Sequence, residues 1–425
     1  MGLLNLPSIS VDSIEEDDLD YRIKASINEP VSRYCTHCFS NNLFGHGGKT
    51  QLFMDTPIHG KRVGILLNRR RFRCGDCRKT QFEQSRDLSD AHRATVRLVK
   101  YIQDRAIRST NTSVAEDVGV TEATVRNILK SYIDCLEKKY QFETPRVLGL
   151  DEVHLNRRMR LVMTNIEQRT LIDLVKDRKK ETVITALTKL KNPEKVQLVT
   201  IDMWRPYLDA AALVLPHAIP VIDKFHVVKM ANEAVEKARK SLRESLSPKQ
   251  RKGLMNDRFL LLRRRSALTD QQKFILEGWT LNYPMLGTVY EAKETFYEIY
   301  DYQTRQEAEL AYDDWKSGIP TGVKCYFGDL VRAMDNWHKE IFNYFDHPVT
   351  NALTESINNQ IKSIYRQGRG YSFDVLRARA LFVEAKHKTT KPSFKSRIPE
   401  GFIGMATMND LQVEQKNYGA RIYTN

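Results

Sequence analysis

Two runs of strand-forming residues, each ending in an aspartate, constrain the fold of this chain most strongly. Asp151 interrupts the apolar run that starts at residue 148, and Asp202 closes the run that starts at residue 196. A buried carboxylate is unfavourable unless it is paired or binds a metal ion. Because the carboxyl ends of parallel strands meet at one edge of a sheet, the pattern predicts that both aspartates share a site. The alternative is that each is an ordinary strand-end acid.

A third acid follows much later in the chain. Residues 351–365 have the apolar spacing of an amphipathic helix, and Glu355 lies on its polar side together with Asn359, Lys362 and Arg366. Two close carboxylates repel each other, and a divalent cation relieves that repulsion. We therefore predict that Glu355 completes a metal site and that Lys362 and Arg366 contact phosphates around it. A solvated, salt-bridging helix face is the alternative.

The segment 146–226 predicts the fold class. Its pattern is β-β-β-α-β-α-β, with helices near 181–191 and 206–215 and strands at 147–153, 159–166, 170–176, 196–201 and 219–222. This order is typical of an RNase H-like mixed α/β sheet. The last strand also ends in an acid, Asp223, which is followed by His226 and competes for a place in the site.

The segment 227–347 is predicted to be an all-helical insertion that interrupts the catalytic core, since no strand pattern appears within it. Its Trp279, Trp315 and Trp337, together with the arginines at 263–265, could stack an unpaired base and hold a strand backbone. The favoured interpretation is that the tryptophans belong to a helical core. Residues 348–388 then return to the sheet with a further helix predicted at 373–386, and the tail 389–425 has no assigned role.

Four of the six cysteines form two C-x-x-C pairs within the segment 31–86. Each two-residue gap lets both thiolates face one ion, and Zn²⁺ accepts four sulfur ligands in a tetrahedral site. One structural Zn²⁺ is therefore predicted. Disulfides are the alternative, and His37, His46 and His59 do not improve the set of ligands. The predicted ligands are Cys35, Cys38, Cys74 and Cys77.

Charge is distributed unevenly along a chain whose net charge is +14. Residues 1–30 carry seven acids and two basic residues and are predicted to be an acidic, solvated lead-in, whereas residues 31–86 carry eleven basic residues and three acids. Arg69, Arg70 and Arg71 in the basic ribbon are predicted to contact a phosphate backbone. Because the chain has no long uncharged apolar run, no membrane partner is expected. Because its N-terminal stretch is acidic, unlike a signal or transit peptide, a cytoplasmic location is expected.

Residues 87–145 predict a helix-turn-helix. Ser89 is the expected cap of a first helix at 90–108, Thr112 or Ser113 the cap of the second, and Thr121 the cap of the third, with Gly119 at the turn. Chance produces such pairs of short helices too, but this one follows a basic zinc ribbon directly. The outer face of the last helix would offer side chains to a DNA major groove. These are Thr124, Arg126, Asn127 and Lys130.

With these features in place, the chain resembles bacterial insertion-sequence transposases of the DDE type, most closely the ISL3 family, over roughly residues 30–385. The resemblance rests on six stretches of sequence. They are Asp55-Thr56-Pro57-Ile58-His59-Gly60, Arg70-Arg71-Phe72-Arg73-Cys74, Leu150-Asp151-Glu152, Ile201-Asp202-Met203-Trp204-Arg205-Pro206-Tyr207, Asp223-Lys224-Phe225-His226 and Asn351-Ala352-Leu353-Thr354-Glu355-Ser356.

The resemblance implies that Asp151, Asp202 and Glu355 are the catalytic triad and that Asp223 and His226 have an accessory role. Two Mg²⁺ (or Mn²⁺) ions per active site would then support phosphodiester cleavage that leaves a 3′-OH, which is joined to target DNA. Double-stranded DNA, as element ends and as target, is the expected partner, with a homodimer or larger assembly on it. The alternatives are a domesticated DNA-binding regulator without chemistry and an RNase H-like nuclease without strand transfer.

Overall fold

The N-terminal region is a seven-stranded sheet built around one long β-ribbon. In the computed structural model, which describes residues 4–28, 34–368 and 370–384, the strand order is β1-β2-β4-β3-β7-β6, and β5 pairs with β4. The ribbon itself is the antiparallel pair of β3 and β4, whose register aligns Leu43 with Cys74. The strands are β1 (Ile9–Glu16), β2 (Asp20–Ile27), β3 (Leu43–Ile58), β4 (Lys61–Cys74), β5 (Thr80–Phe82), β6 (Leu88–Ser89) and β7 (Ala94–Thr95).

The predicted acidic lead-in forms an ordered hairpin of this sheet, a role that the prediction did not include. Strands β1 and β2 pair antiparallel, and β2 pairs in parallel with β4. Ile23 and Ala25 face inward and are buried. The acids lie on the exposed side, where Asp20 accepts two hydrogen bonds from Arg62 of β4. The alternation of apolar residues in β2 therefore determines its structure, and the acidic side chains remain at the surface.

Three helices follow, with the turn where it was predicted. They are α1 (Val96–Ala106), α2 (Asn111–Val118) and α3 (Glu122–Lys139). Gly119 has a φ of 72°, a left-handed conformation that glycine adopts without a steric penalty, and Thr121 caps α3 as predicted. The other two predicted caps were wrong. Thr95 caps α1 because Ser89 is engaged in a two-residue ladder with Ala94, and Thr110 caps α2.

A five-stranded sheet forms the second part of the protein and agrees closely with the predicted order of elements. Its strands are β8 (Val147–Leu155), β9 (Arg158–Asn165), β10 (Thr170–Val175), β11 (Leu198–Ile201) and β12 (Ile219–Ile222), with helices α4 (Lys180–Leu187) and α5 (Arg205–Val214) between them. The strand order is β10-β9-β8-β11-β12. The first three strands are antiparallel neighbours, and β8, β11 and β12 run in parallel. Parallel strands thus lie side by side in one half of the sheet.

Helices make up the segment after β12. They are α6 (Lys224–Ser241), α7 (Pro248–Asn256), α8 (Arg258–Leu262), α9 (Asp270–Asn282), α10 (Pro284–Glu298), α11 (Arg305–Gly318), α12 (Gly328–Asn336) and α13 (His338–Asp346). Trp315 and Trp337 are buried in the core of this segment, which is continuous with the apolar core of the five-stranded sheet. Asn343 of α13 also donates a hydrogen bond to the Pro220 carbonyl of β12. The helical segment is therefore packed onto the sheet.

The chain then returns to the sheet as α14 (Ala352–Gln367) and α15 (Phe373–Arg379), the latter continued by a π-helical turn, Ala380–Glu384. Arg377 of α15 forms ion pairs with Glu137 of α3 and with Asp173 of β10. This side chain ties the three-helix unit to the five-stranded sheet. The last two positions of the helix predicted at 373–386, and the tail 389–425, lie outside the described residues.

Candidate active site

Strand register brings Asp151 and Asp202 to the same level of the sheet. Parallel pairing aligns Thr200 of β11 with Gly149 of β8, and two residues further along each chain are Asp202 and Asp151. Side chains alternate across a strand, so both aspartates project from the same face. The predicted strand end is correct for Asp202. It is wrong for Asp151, because β8 continues to Leu155 through its hairpin with β9 after its pairing with β11 has ended.

His226 joins the two aspartates from the first turn of α6. Its Nε2 lies 2.8 Å from Oδ1 of Asp202. One ligand atom from each of Asp151, Asp202 and His226 lies within 4.8 Å of the others. Asp151 is only 7% exposed, whereas Asp202 and His226 are half-buried. The group is therefore buried at Asp151 and partly accessible to solvent at Asp202 and His226.

Burial and mutual repulsion perturb the protonation of this group. Removal from solvent, followed by the charge of Asp202, raises the pKa of Asp151 to about 8. For His226, burial disfavours the imidazolium, but its contact with Asp202 and the charges of Asp151 and Asp223 outweigh that effect and raise its pKa. The repulsion between these two close carboxylates would be relieved by a divalent cation.

Asn358, on α14, is a site residue that sequence reasoning missed. Its Nδ2 donates a hydrogen bond of 2.9 Å to Oδ2 of Asp151 and a longer one to the carbonyl of Glu152. Its own Oδ1 is buried and, among the described residues, has no hydrogen-bond partner. The hydroxyl of Tyr207 is likewise buried and without a hydrogen-bond partner among the described residues. Its pKa is raised by burial and by the charges of Glu152, Asp202 and Asp151. A polar ligand would satisfy both oxygens.

A buried polar node fixes the start of α14 against the sheet. Oδ1 of Asn351 accepts hydrogen bonds from the hydroxyls of Thr200 and Thr354, and Thr354 is also hydrogen-bonded to Thr164 of β9 at 2.7 Å. The approach is so close that a Cβ at Gly149 would lie 2.9 Å from Oδ1 of Asn351. The helix that carries Asn358 and Glu355 is thereby held against strands β8, β9 and β11.

We call Asp151, Asp202 and His226 the acidic group. The structure separates the remaining predicted site residues from it. Glu355 is exposed in the first turn of α14. It does not belong to the group of ligand atoms that lie within 4.8 Å of one another. Asp223 is buried, and its carboxylate caps α6 by accepting a hydrogen bond from the backbone N–H of Phe225. Burial raises the pKa of Asp223. Lys362 is half-buried and Arg366 exposed on α14.

The donors in the acidic group fit a hard divalent cation. Carboxylate and amide oxygens are the ligands that Mg²⁺ and Mn²⁺ prefer, and an imidazole nitrogen is compatible with Mn²⁺. Asp151 and Asp202 supply carboxylates, and the unpartnered Oδ1 of Asn358 supplies a further oxygen next to Asp151. These residues could therefore hold such an ion.

The four predicted zinc ligands converge at the end of the ribbon. Sγ of Cys35 lies 3.6 Å from Sγ of Cys77, and Sγ of Cys38 lies 3.6 Å from Sγ of Cys74. All four cysteines are free. Tetrahedral Zn²⁺ with Zn–S bonds of about 2.3 Å requires sulfurs about 3.8 Å apart, which these distances match. Backbone N–H groups of His37 and Cys77 lower the pKa values of Cys35 and Cys74, respectively, and so favour the thiolates that a metal needs.

The predicted DNA-contacting residues of the ribbon divide into three cases. Arg69 is 2% exposed, ion-paired with Asp90 and placed over the rings of Phe53 and Phe82. It cannot reach a phosphate, so that prediction was wrong. Arg70 is exposed and ion-paired with Glu83, and Arg71 is half-buried. In β4 inward and outward positions alternate, and Arg69 falls on the inward side with Leu67.

The outer face of α3 carries the other predicted contacts. Arg126, Asn127 and Lys130 are exposed, and Thr124 is half-buried. Arg126 forms an ion pair with Glu122 one turn earlier in the helix. Exposed i,i+4 pairs of this kind contribute little stability, so a DNA phosphate or base could displace Glu122.

The fold and the two centres define a two-part protein. A β-ribbon with a four-cysteine cluster and three helices precedes a mixed sheet whose parallel strands hold an acidic group that could bind a cation. Comparison with known proteins then identifies the family. The profile of the ISL3 group of DDE transposases, described as a transposase, matches residues 148–380. A second profile, described as the zinc-finger of transposase IS204/IS1001/IS1096/IS1165, matches residues 32–77.

Since the first match spans more than half of its length, the chain belongs to the ISL3 family of DDE transposases, and the predicted resemblance is confirmed. It is 26% identical to the transposase for insertion sequence element IS1001 of Bordetella parapertussis, over 82% of this chain and 88% of that relative. It is 24% identical to the transposase for insertion sequence element IS1557 of Mycobacterium tuberculosis, over 68% of this chain and 71% of that relative. Among the described residues, no helix is both long and apolar enough to cross a membrane.

Proposed function

We propose that this chain cleaves the ends of an insertion sequence to give a 3′-OH and joins that 3′-OH to target DNA. Asp151, Asp202 and Glu355 are proposed as the carboxylates that hold Mg²⁺ or Mn²⁺, two ions per site. The observation that carries the proposal is the convergence of Asp151 and Asp202, with His226, at one face of the sheet. We also propose an RNase H-like fold for this sheet, on the support of its order β10-β9-β8-β11-β12.

The proposal for Glu355 rests on its helix. Asn358 of α14 touches Asp151, and residues three apart in a helix lie on the same side. Glu355 is therefore one turn from a residue that already contacts Asp151, and its side chain is exposed. Asn351 and Thr354 fix that turn against the sheet. The proposal requires the exposed side chain of Glu355 to approach a cation shared with the two aspartates.

Each residue of the site has a specific role in this proposal. Bound divalent ions would supply an activated water and stabilise the leaving oxygen. Asp151 and Asp202 hold the positive charge, and Asn358 orients the carboxylate of Asp151 through its hydrogen bond. His226 contacts Asp202 and, with its raised pKa, can hold a proton beside the reacting phosphate. Asp223 acts as a positioning residue, since it caps the helix that carries His226.

The N-terminal region is proposed to recognise DNA. One structural Zn²⁺ would hold the ends of the ribbon together through Cys35, Cys38, Cys74 and Cys77, and the outer face of α3 would enter a major groove as the second helix of a helix-turn-helix. The exposed Arg126, Asn127 and Lys130 support this proposal. A homodimer or larger assembly on DNA is proposed, in which each element end meets its own active site.

The test is Mg²⁺-dependent cleavage of duplex DNA taken from the regions that flank the coding sequence. We expect wild type to cleave and Asp151→Asn, Asp202→Asn and Glu355→Gln to lose cleavage while they retain DNA binding. Asp223→Asn is the matched control and should keep measurable activity, because its carboxylate caps α6 and does not belong to the group of close ligand atoms. Full activity in Glu355→Gln, or a dead Asp223→Asn beside an active Asp202→Asn, would show that the acids are wrongly assigned. DNA binding without cleavage by wild type would favour a regulator, and cleavage without joining a nuclease.

A further inference from the structure

One of the four tryptophans is exposed beside the acidic group. Trp315 and Trp337 are buried in the helical core, and the indole N–H of Trp279 donates a hydrogen bond to Asp257. Trp204 is 37% exposed and lies only two residues after Asp202. The other three tryptophans are the ones predicted as candidates for base stacking, but Trp279 is half-buried, and Trp204 is the most exposed of the four.

Trp204 is held in place from two directions. Its backbone N–H donates a 2.6 Å hydrogen bond to the carbonyl of Asp202, which fixes the turn after β11. The guanidinium of Arg178 lies over its ring, 4.1 Å from the ring centroid. Arg178 is in turn ion-paired with Glu152, the neighbour of Asp151. The indole is therefore connected to both catalytic strands and supported on one face.

A supported ring with accessible surface is suited to stacking on a flat ligand. Surface aromatic residues of this kind pack against nucleobases in proteins that bind unpaired strands. Within a duplex both faces of a base are covered by its neighbours, so only a base that has left the stack can pack on a side chain. Because Arg178 is ion-paired with Glu152, its contribution here is to support the ring.

We propose that Trp204, supported by Arg178, is a binding site for a nucleobase that is unpaired from the element end next to the cleaved phosphate. This inference rests on the proposed function and adds a substrate contact to it. Trp204 touches DNA but holds no metal ion and transfers no proton. Stacking would hold the opened end so that the phosphate backbone passes over Asp151 and Asp202.

The test compares Trp204→Leu with Trp204→Phe in the full-length protein. Phe274→Leu is the matched control, because Phe274 is 77% exposed on α9 and has no role in the proposal. The first readout is single-turnover cleavage of a paired element-end duplex and of the same duplex with a mismatch next to the cleaved phosphate. Loss of base stacking typically costs about 5- to 150-fold. We expect such a loss for Trp204→Leu on paired DNA, substantial relief of it on mismatched DNA, and near wild-type rates for Trp204→Phe and Phe274→Leu.

The second readout is binding without cleavage. The mismatched duplex carries 2-aminopurine as the unpaired base, and its fluorescence should be quenched by wild type and not by Trp204→Leu. Equal cleavage of paired DNA by wild type and Trp204→Leu, or a loss that the mismatch does not relieve, would overturn the inference. If wild type quenches 2-aminopurine in a Trp204-dependent manner but cleaves nothing, the proposed function fails and the stacking site stands. If it neither cleaves nor quenches, both fail.

Discussion

Replacement of Asp151 by asparagine should stabilise the metal-free protein, and the gain should grow with pH. The folded state raises the pKa of Asp151 from 3.8 to about 8, because the carboxyl is buried and lies next to Asp202. A group whose pKa is raised on folding binds its proton more tightly in the folded state. Its contribution to stability is therefore fully present below about pH 4 and is lost progressively as the pH rises to about 8.

The expected magnitude follows from that shift. Each pH unit between the unfolded and folded pKa values corresponds to about 1.4 kcal/mol, so a shift of about four units has an upper bound of about 5 kcal/mol at pH 8. Part of the shift comes from the charge of Asp202, which remains in the variant. Asparagine also weakens the hydrogen bond from Asn358, which costs about 1–2 kcal/mol. We expect a net gain of about 2–3 kcal/mol at pH 8 and almost none at pH 5.

The assay is thermal unfolding of wild type and Asp151→Asn at pH 5 and pH 8 without added divalent ion. Chelators should be left out, since they would strip zinc from the cysteine cluster. The matched control is Asp177→Asn, because a hydrogen bond from Thr182 lowers the pKa of Asp177 and its loss should destabilise at pH 8. Addition of Mg²⁺ at about 100 times its Kd should stabilise wild type by about 2.7 kcal/mol and leave the variant little changed. An Asp151→Asn protein that is less stable than wild type at pH 8 without metal would refute the reasoning.

Three further predictions concern the N-terminal region. Purified protein should contain one Zn²⁺ per chain by elemental analysis. The double variant Cys74→Ser, Cys77→Ser should lose this zinc, because tetrahedral coordination needs all four thiolates. Full zinc retention in that variant would contradict the assignment of these cysteines as ligands. The full-length protein should bind element-end DNA with an affinity that falls steeply with salt, and Asn127→Ala should reduce its preference for that sequence by about 1–3 kcal/mol in competition binding. Equal binding of wild type to random DNA would count against recognition by α3. Arg69→Ala should lower the free energy of unfolding by about 2–3 kcal/mol, because it removes a buried side chain that packs on two aromatic rings and is ion-paired with Asp90. A loss of DNA affinity without a loss of stability would show that Arg69 contacts DNA after all.

The predictable parts of the fold are those in which one local pattern dominates. The strands of the five-stranded sheet end within about two residues of their predicted limits because apolar runs, turns and helix periods alternate clearly between 146 and 226. Gly119 and Thr121 were also found, since a left-handed turn and a helix cap each depend on a single residue type. The caps of α1 and α2 were missed because pairing between β6 and β7 competes with the local propensity of Ser89.

The errors at functional positions have identifiable causes. Arg69 was grouped with Arg70 and Arg71 by charge, whereas the alternation of β4 places it on the inward side that begins with Val63. Asn358 was passed over because it lies between the apolar and the charged faces of α14, although it is three residues from Glu355. Arg178 and Trp204 lie 26 residues apart in sequence, and only the folded structure brings the guanidinium over the ring.

The central claim is that Asp151, Asp202 and Glu355 hold the divalent cations, and anomalous diffraction from Mn²⁺-soaked crystals of the full-length protein tests it most directly. We predict an anomalous peak bridging the carboxylates of Asp151 and Asp202, at about 2.2 Å from their oxygens, with Glu355 rotated towards it. In Asp202→Asn the peak should be lost, and in Asp223→Asn it should persist. A wild-type crystal with Mn²⁺ on Asp223, or with a peak beside Asp151 that survives Asp202→Asn, would contradict the account.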